Sequence, residues 1–209
     1  GRVDQNVPIE VTMKALEELV NEGKIGGIQL SEVKAETIRR AAKVTKIGMV
    51  EAEVSLWGTD IFETGVAETC AELGITVVAH TPLGAGMLTG QMKTLIDMPV
   101  NDYLRYFPRF QPENFQKNLD LVAELIKLAD IKGCTTAQLA LCWIKSHSKT
   151  PGMPLIVTVF GARSEERVKE NTREVDLTSA DLKDINAILE SFPVSGHRHP
   201  ATAAKLTEY

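Results

Sequence analysis

Two short stretches of this chain combine residue types and spacing that suit an anion. Across Gly161-Ala162-Arg163-Ser164-Glu165-Glu166-Arg167-Val168-Lys169-Glu170-Asn171 a strand-like run ends and a helix begins. A helix start offers unpaired N–H groups and a favourable dipole, and arginines beside it add bidentate bonds to a phosphate. Arg163 and Arg167 also stand among Glu165, Glu166 and Glu170, so a solvated helix face is the competing reading. In Thr81-Pro82-Leu83-Gly84-Ala85-Gly86 the glycines let backbone N–H groups approach phosphate oxygens with no Cβ in the way. Standing alone, a G-x-G pair is as readily a plain turn. Cys70, Cys134 and Cys142 form no C-x-x-C pair and no even-numbered framework, and read as buried small hydrophobes in a reducing compartment. His197 and His199 make an H-x-H with no cysteine or third histidine nearby, so no metal site is expected.

The elements that must hold these stretches alternate. Helical spacing runs over 11–21, 35–44, 61–73, 114–131, 136–146, 164–171 and 179–190. Apolar runs at 25–30, 47–53, 75–79 and 155–159 read as buried strands. Strand followed by helix, with near-continuous apolar strands, argues for a parallel sheet covered by helices. Residues 82–113, with Pro82, Pro99, Pro108 and Pro112 and the aromatics Tyr103, Tyr106, Phe107 and Phe110, break the rhythm. A stretch that long without regular structure is usually functional. The net charge of −5, from 28 acids against 23 bases, argues against nucleic acid and anionic membrane as partners. The apolar runs are strand-sized, so no span is expected. Gly1–Glu10 has no apolar h-region, which points to a cytoplasmic location.

Four segments together resemble the aldo-keto reductase family: Gly23-Lys24-Ile25 through Leu30-Ser31, Val50-Glu51-Ala52-Glu53-Val54-Ser55-Leu56, the run from Gly74 through His80-Thr81-Pro82-Leu83-Gly84-Ala85-Gly86 to Gly90, and Gly161 to Asn171. Thr136-Ala137-Gln138-Leu139-Ala140-Leu141-Cys142-Trp143 fits the family's penultimate helix. Arg2-Val3-Asp4 to Thr12-Met13, Leu30-Ser31-Glu32 and Tyr106-Phe107-Pro108-Arg109-Phe110 are most similar to its fungal pyridoxal reductase subgroup. The resemblance implies an α/β fold, a partial (β/α)8 TIM barrel made of strands five to eight with their helices. On that reading residues 1–192 form the C-terminal half of the barrel and 193–209 a polar, loosely held tail.

The family moves a hydride from NADPH to the carbonyl carbon of a small aldehyde or ketone while a tyrosine, tuned by a lysine, protonates the oxygen. The resemblance places that tyrosine, its lysine, a histidine and an aspartate in the other half of the barrel. Tyr103, Tyr106 and Tyr209 match no such motif, so no catalytic residue is assigned and inactivity alone is expected. The NADP-binding side is what the resemblance maps onto this chain. Ser31 matches a serine that holds the nicotinamide amide, with Glu32 and Glu51 where the family has Asn and Gln. Ionised, both accept only, which weakens amide recognition. Ser31 is equally a strand-end hydroxyl. His80 stands where a tyrosine stacks on the nicotinamide, and is otherwise a structural histidine. Thr81, Leu83, Gly84 and Gly86 would follow the pyrophosphate. Arg163 and Arg167 would hold the 2′-phosphate, and Glu170 and Asn171 the adenine. Tyr106, Phe107 and Phe110 either line the pocket or anchor their loop. The alternative to an enzyme is a non-catalytic half-barrel that self-associates through its open edges or complements a separate N-terminal half.

Overall fold

Which side of the sheet is covered follows from alternate residues along its strands. The computed structural model describes residues 2–204, 207 and 208. In chain order its elements are α1 (Ile9–Asn21), β1 (Gln29–Ser31), α2 (Ala35–Ala42), β2 (Met49–Glu53), α3 (Val66–Glu72), β3 (Thr76–His80), α4 (Pro112–Lys132), α5 (Thr136–His147), β4 (Ile156–Thr158), α6 (Glu165–Thr172), α7 (Ser179–Ser191) and α8 (Ala201–Ala204). The strands pair in the order β1-β2-β3-β4, all parallel. Leu30, Val50, Ala52, Val77, Ala79 and Ile156 are buried on one face of the sheet, beneath the helices. Met49, Leu155, Val157 and Val159 stay exposed, and Met49 and Val157 share the opposite face with Glu51 and Val78.

Among the described residues no further strand pairs with β1 or β4. The expected partial barrel of strands five to eight is corrected to what the pairing shows, an open four-stranded parallel α/β sheet with both edges free. Several boundaries also move for local reasons. The strand expected over 25–30 forms only at Gln29–Ser31, after Gly26 and Gly27. The helix expected over 61–73 breaks at Gly65, whose φ of 76° is left-handed, so a single 3-10 turn (Asp60–Phe62) precedes α3.

The covering helices start and stop on chemistry visible in the chain. Thr135 and Gln138 form a capping box at α5, as Thr178 and Asp181 do at α7. Lys132, at the end of α4, bonds Asp181 at 2.8 Å and ties α4 to α7. Arg40 of α2 grips Glu10 of α1 through two bonds of 2.8 Å. His147 of α5 stacks on Phe62 with ring centroids 4.1 Å apart and meets Trp143 edge-on.

The polar segment after Phe192 differs from the loose tail expected of it. Asn118 of α4 exchanges two hydrogen bonds with the Ser195 backbone, at 2.8 and 2.9 Å, and the Ser195 hydroxyl donates to Asn114 at 2.7 Å. Gly196, with φ of 90°, lies so close to Pro108 that a Cβ there would sit 2.9 Å from its carbonyl. Beyond it Arg198 pairs with Glu32 and Glu53, beside the ends of β1 and β2, and Glu208 accepts bonds from the Lys34 N–H and the Thr37 hydroxyl, both at 3.0 Å.

Candidate functional site

The C-terminal ends of β3 and β4 open onto a groove of about 860 Å³. One wall is the turn after β3. There Thr81, Gly84, Ala85 and Gly86 all have positive φ, so the backbone coils tightly into the segment Gly84–Thr89 and is kinked within its first turn. Thr81 is β-branched, and its φ of 53° is a strained value for such a residue. The other wall is the segment after β4 with the start of α6: Gly161, Ala162, Arg163, Arg167 and the buried Asn171. The α6 N-terminus is self-capped. Ser164 Oγ accepts the Arg167 N–H at 3.3 Å, and the Glu166 carboxyl is held below its ordinary range by its own backbone N–H and the Ser164 hydroxyl. Arg167 donates to Glu170 at 2.7 Å on the surface of the helix, while Arg163 is exposed.

Where β1, β2 and β3 end, the chemistry changes from exposed to buried charge. The Glu32 side chain has no exposed surface. It accepts the Glu53 N–H at 2.8 Å and His80 Nε2 at 2.6 Å, and it pairs with Arg198. An ionised carboxylate can only accept, so His80 carries its proton on Nε2 and its Nδ1 takes the Thr81 hydroxyl at 2.9 Å. Burial, opposed by the Glu53 charge, holds the His80 pKa below the usual histidine value. Glu53 binds Arg198 Nε at 2.8 Å and Arg109 Nη1 at 3.2 Å. Around this cluster lies a cavity of about 160 Å³ walled by Trp57, Thr81, Tyr103, Phe107, Arg109, Phe110 and His199. Phe110 meets Trp57 edge-on at 5.6 Å. Burial and the neighbouring Arg198, Arg2 and Arg109 charges push the His199 pKa down to about 4.

The expected site residues therefore fall into three groups. Thr81, Leu83, Gly86, Arg163, Arg167 and Asn171 line the groove. His80 and Gly84 line the smaller cavity, which Thr81 shares. Ser31, Glu32, Glu51 and Glu170 line neither. Ser31 accepts from Arg2 at 3.1 Å, Glu51 accepts from Gln29 at 2.6 Å on the open sheet face, and Glu170 faces Arg167. Of the loop aromatics, Phe107 and Phe110 wall the cavity while Tyr106 stands in solvent. Sequence reasoning missed Glu53, Trp57, Arg109, Arg198 and His199. Glu53 had a signal, a second acidic residue two positions after Glu51 in a strand whose other residues are apolar. Arg198 had none, because its partners Glu32 and Glu53 are far away along the chain, Glu32 by 166 residues.

Comparison with known proteins follows the same map. The Aldo/keto reductase family profile matches residues 1–190. Aldo-keto reductase str7 of Strobilurus tenacellus is 36% identical over 99% of this chain and 61% of its own length. Aldo-keto reductase yakc of Schizosaccharomyces pombe, whose name specifies NADP(+), is 38% identical over 97% of this chain and 59% of its own. This chain thus spans about three fifths of the curated relatives it matches. Among solved structures, a glycerol dehydrogenase of Gluconobacter oxydans superposes with a TM-score of 0.79 at 25% identity, covering 93% of this chain and 58% of that one. A thermostable aldo-keto reductase, Tm1743, shares the fold with a TM-score of 0.65 and 20% identity. These matches overturn the assignment to strands five to eight. They run along nearly the whole chain and over more than half of each relative, and the solved neighbours are complete TIM barrels. The expected inactivity finds no support in these matches. Among the described residues no helix is long and apolar enough to cross a membrane.

Proposed function

This chain belongs to the aldo/keto reductase family, and we propose that it binds NADP(H) in the groove between the Thr81–Gly86 turn and the start of α6, in the service of reducing a small aldehyde or ketone. The observation that carries this reading is the meeting, across one groove, of two segments 75 or more residues apart that each suit a phosphate. The walls fit the group. A Cβ built at Gly86 or Gly161 meets nothing within 4 Å, so there is room beside the backbone for a ligand to approach. Bound NADPH supplies a hydride.

The residues of the chain do the holding. Arg163 and Arg167 match the 2′-phosphate end, where a guanidinium fork adds charge and direction that NAD would not use. Arg167 exchanges Glu170 for the phosphate on binding, and Asn171 presents an amide beside it. Toward the other end of the groove, Thr81 has committed its hydroxyl proton to His80, so its oxygen faces a ligand as an acceptor. Glu32, buried beneath Arg198, orients His80 rather than touching the coenzyme. Pyridoxal-type aldehydes, suggested by the subgroup resemblance, are the first substrates to assay.

The test is calorimetric titration of the chain with NADP+ and NAD+. Binding of NADP+ at least tenfold tighter than NAD+ is expected. Equal or absent affinity would refute the roles of Arg163 and Arg167.

A further inference from the structure

A hydroxyl, an imidazole and a buried carboxylate stand in line at the strand mouth, where β3 ends. Thr81 Oγ1 donates to His80 Nδ1 at 2.9 Å, and His80 Nε2 donates to Glu32 Oε1 at 2.6 Å. This is the order of groups that activates a hydroxyl: a base within hydrogen-bond reach of it, and a third group holding the base in one tautomer. Holding a coenzyme requires only the Thr81 oxygen and leaves the base behind it without a task. The Glu32 side chain has no exposed surface, and Arg198 and the Glu53 N–H hold it in place. Burial lowers the His80 pKa, which keeps the imidazole a free base at neutral pH. Thr81 follows the last residue of β3 directly, at a strained φ of 53°, and the helical segment Gly84–Thr89 comes after it. A strained turn between a parallel strand and a helix is how one class of α/β enzyme lifts a nucleophilic side chain above its sheet. Pro82, next in the chain, has no N–H to offer a developing oxyanion. Tyr103 lines both spaces that Thr81 lines, and its phenol is a donor suited to that place.

We infer that Thr81 is the nucleophile of a hydrolytic activity toward esters of short, uncharged acyl groups, with His80 as its general base. The acyl group enters the 160 Å³ cavity walled by Trp57, Phe107 and Phe110, and the leaving group lies in the groove. A cavity of about 150 Å³ takes up benzene, so the acyl chain is limited to roughly six carbons. The Glu53 carboxylate also lines the cavity but is held by Arg109 and Arg198, so an ionic chain finds no partner there. Thr81 Oγ1 bonds to the acyl carbon as its proton passes to His80 Nδ1. The bond to the leaving oxygen breaks, and that oxygen takes the proton from Nδ1 as the alcohol departs. Water then attacks the Thr81 ester and gives a proton to Nδ1. Thr81 leaves, recovers that proton, and the carboxylic acid is released. Throughout, Nε2–H stays on Glu32, whose charge favours the imidazolium formed in each half.

Two assays on the whole chain, both without coenzyme, test this. Phenylmethanesulfonyl fluoride reacts with an activated hydroxyl, which loses its proton as fluoride leaves and keeps the sulfonyl group. Peptide mass mapping is expected to find that group on Thr81. Hydrolysis of p-nitrophenyl acetate is expected to fall at least tenfold in Thr81→Val and in His80→Gln, and to stay within about threefold in Thr81→Ser, with thermal midpoints measured alongside. An unlabelled Thr81, or hydrolysis unchanged in folded Thr81→Val, overturns the inference. So does hydrolysis lost in His80→Gln but kept in Thr81→Val, because the imidazole would then be the nucleophile. Should Thr81→Val not fold, the labelling decides alone. NADP+ titrated separately keeps the two readings apart. Hydrolysis at Thr81 without NADP+ binding supports the nucleophile and rejects the groove, and the reverse rejects the nucleophile alone.

Discussion

Around α6 the arginines lie at the surface with replaceable partners. Arg163 is exposed, and Arg167 rests on a glutamate one turn along its own helix. At the strand mouth Arg109 and Arg198 are nearly buried, at 12% and 11% side-chain exposure, and both sit on Glu53. Charges of the first kind contribute little to stability and remain free to change partner when a ligand arrives. Those of the second kind fix a neighbouring segment in place, and removing one member leaves the others stranded. The same residue types thus serve recognition at one end of the site and architecture at the other, and burial is what separates the two roles.

The sharpest way to break this contrast is Glu53→Ala. It leaves the Arg109 guanidinium buried without its carboxylate, and a loss of about 3–5 kcal/mol in denaturant unfolding is expected. A loss below about 1 kcal/mol would mean that the mouth is held together by something else. Arg167→Ala should do the opposite. Its stability stays within about 0.5 kcal/mol of the parent, while NADP+ affinity falls roughly tenfold, about 1.4 kcal/mol, and NAD+ affinity does not move.

A change of pH comes next. His80, His147 and His199 all have folded pKa values below the ordinary 6.5, burial being the first cause in each. The fold prefers them neutral, so their contribution is whole above about pH 6.5. It is lost as pH falls toward the folded values, about 4 for His199. Allowing for solvent screening, we expect on the order of 1 kcal/mol between pH 7 and 4.5, a drop of about 2–4 °C in thermal midpoint. A midpoint flat across that range would contradict the burial of these rings. The smallest effect is expected at Lys145→Ala, which removes a fully exposed pair with Glu174 and should leave the midpoint unchanged.

What could be seen in the bare chain follows the range of the interactions. The helices over 114–131, 136–146 and 179–190 were legible from their apolar spacing, and in the fold Thr135, Thr178 and Gly133 mark ends of them locally. The groove was half legible. Glycine spacing and arginines at a helix start announced its two walls, but only folding shows that they face each other. The mouth was scarcely legible at all. Glu32 reads as a residue for the coenzyme, and its ion-pair partner Arg198 lies in a stretch with no periodicity. The left-handed φ of Glu32 and Thr81 was equally hidden, since neither is a type that favours it. The barrel assignment failed for a related reason. Strand count says how many segments pair, not what length of a related protein they represent.

Gly196 bears a consequence out of proportion to its size. Its missing side chain is what lets the last segment slip past Pro108 and Asn114, two residues before Arg198 reaches both glutamates. A lone methyl at that point would act as a wedge, prising the strap from its seat and carrying the guanidinium with it. The closure of the mouth is therefore set by an absence, one carbon atom left out of the chain some distance from any charge it controls.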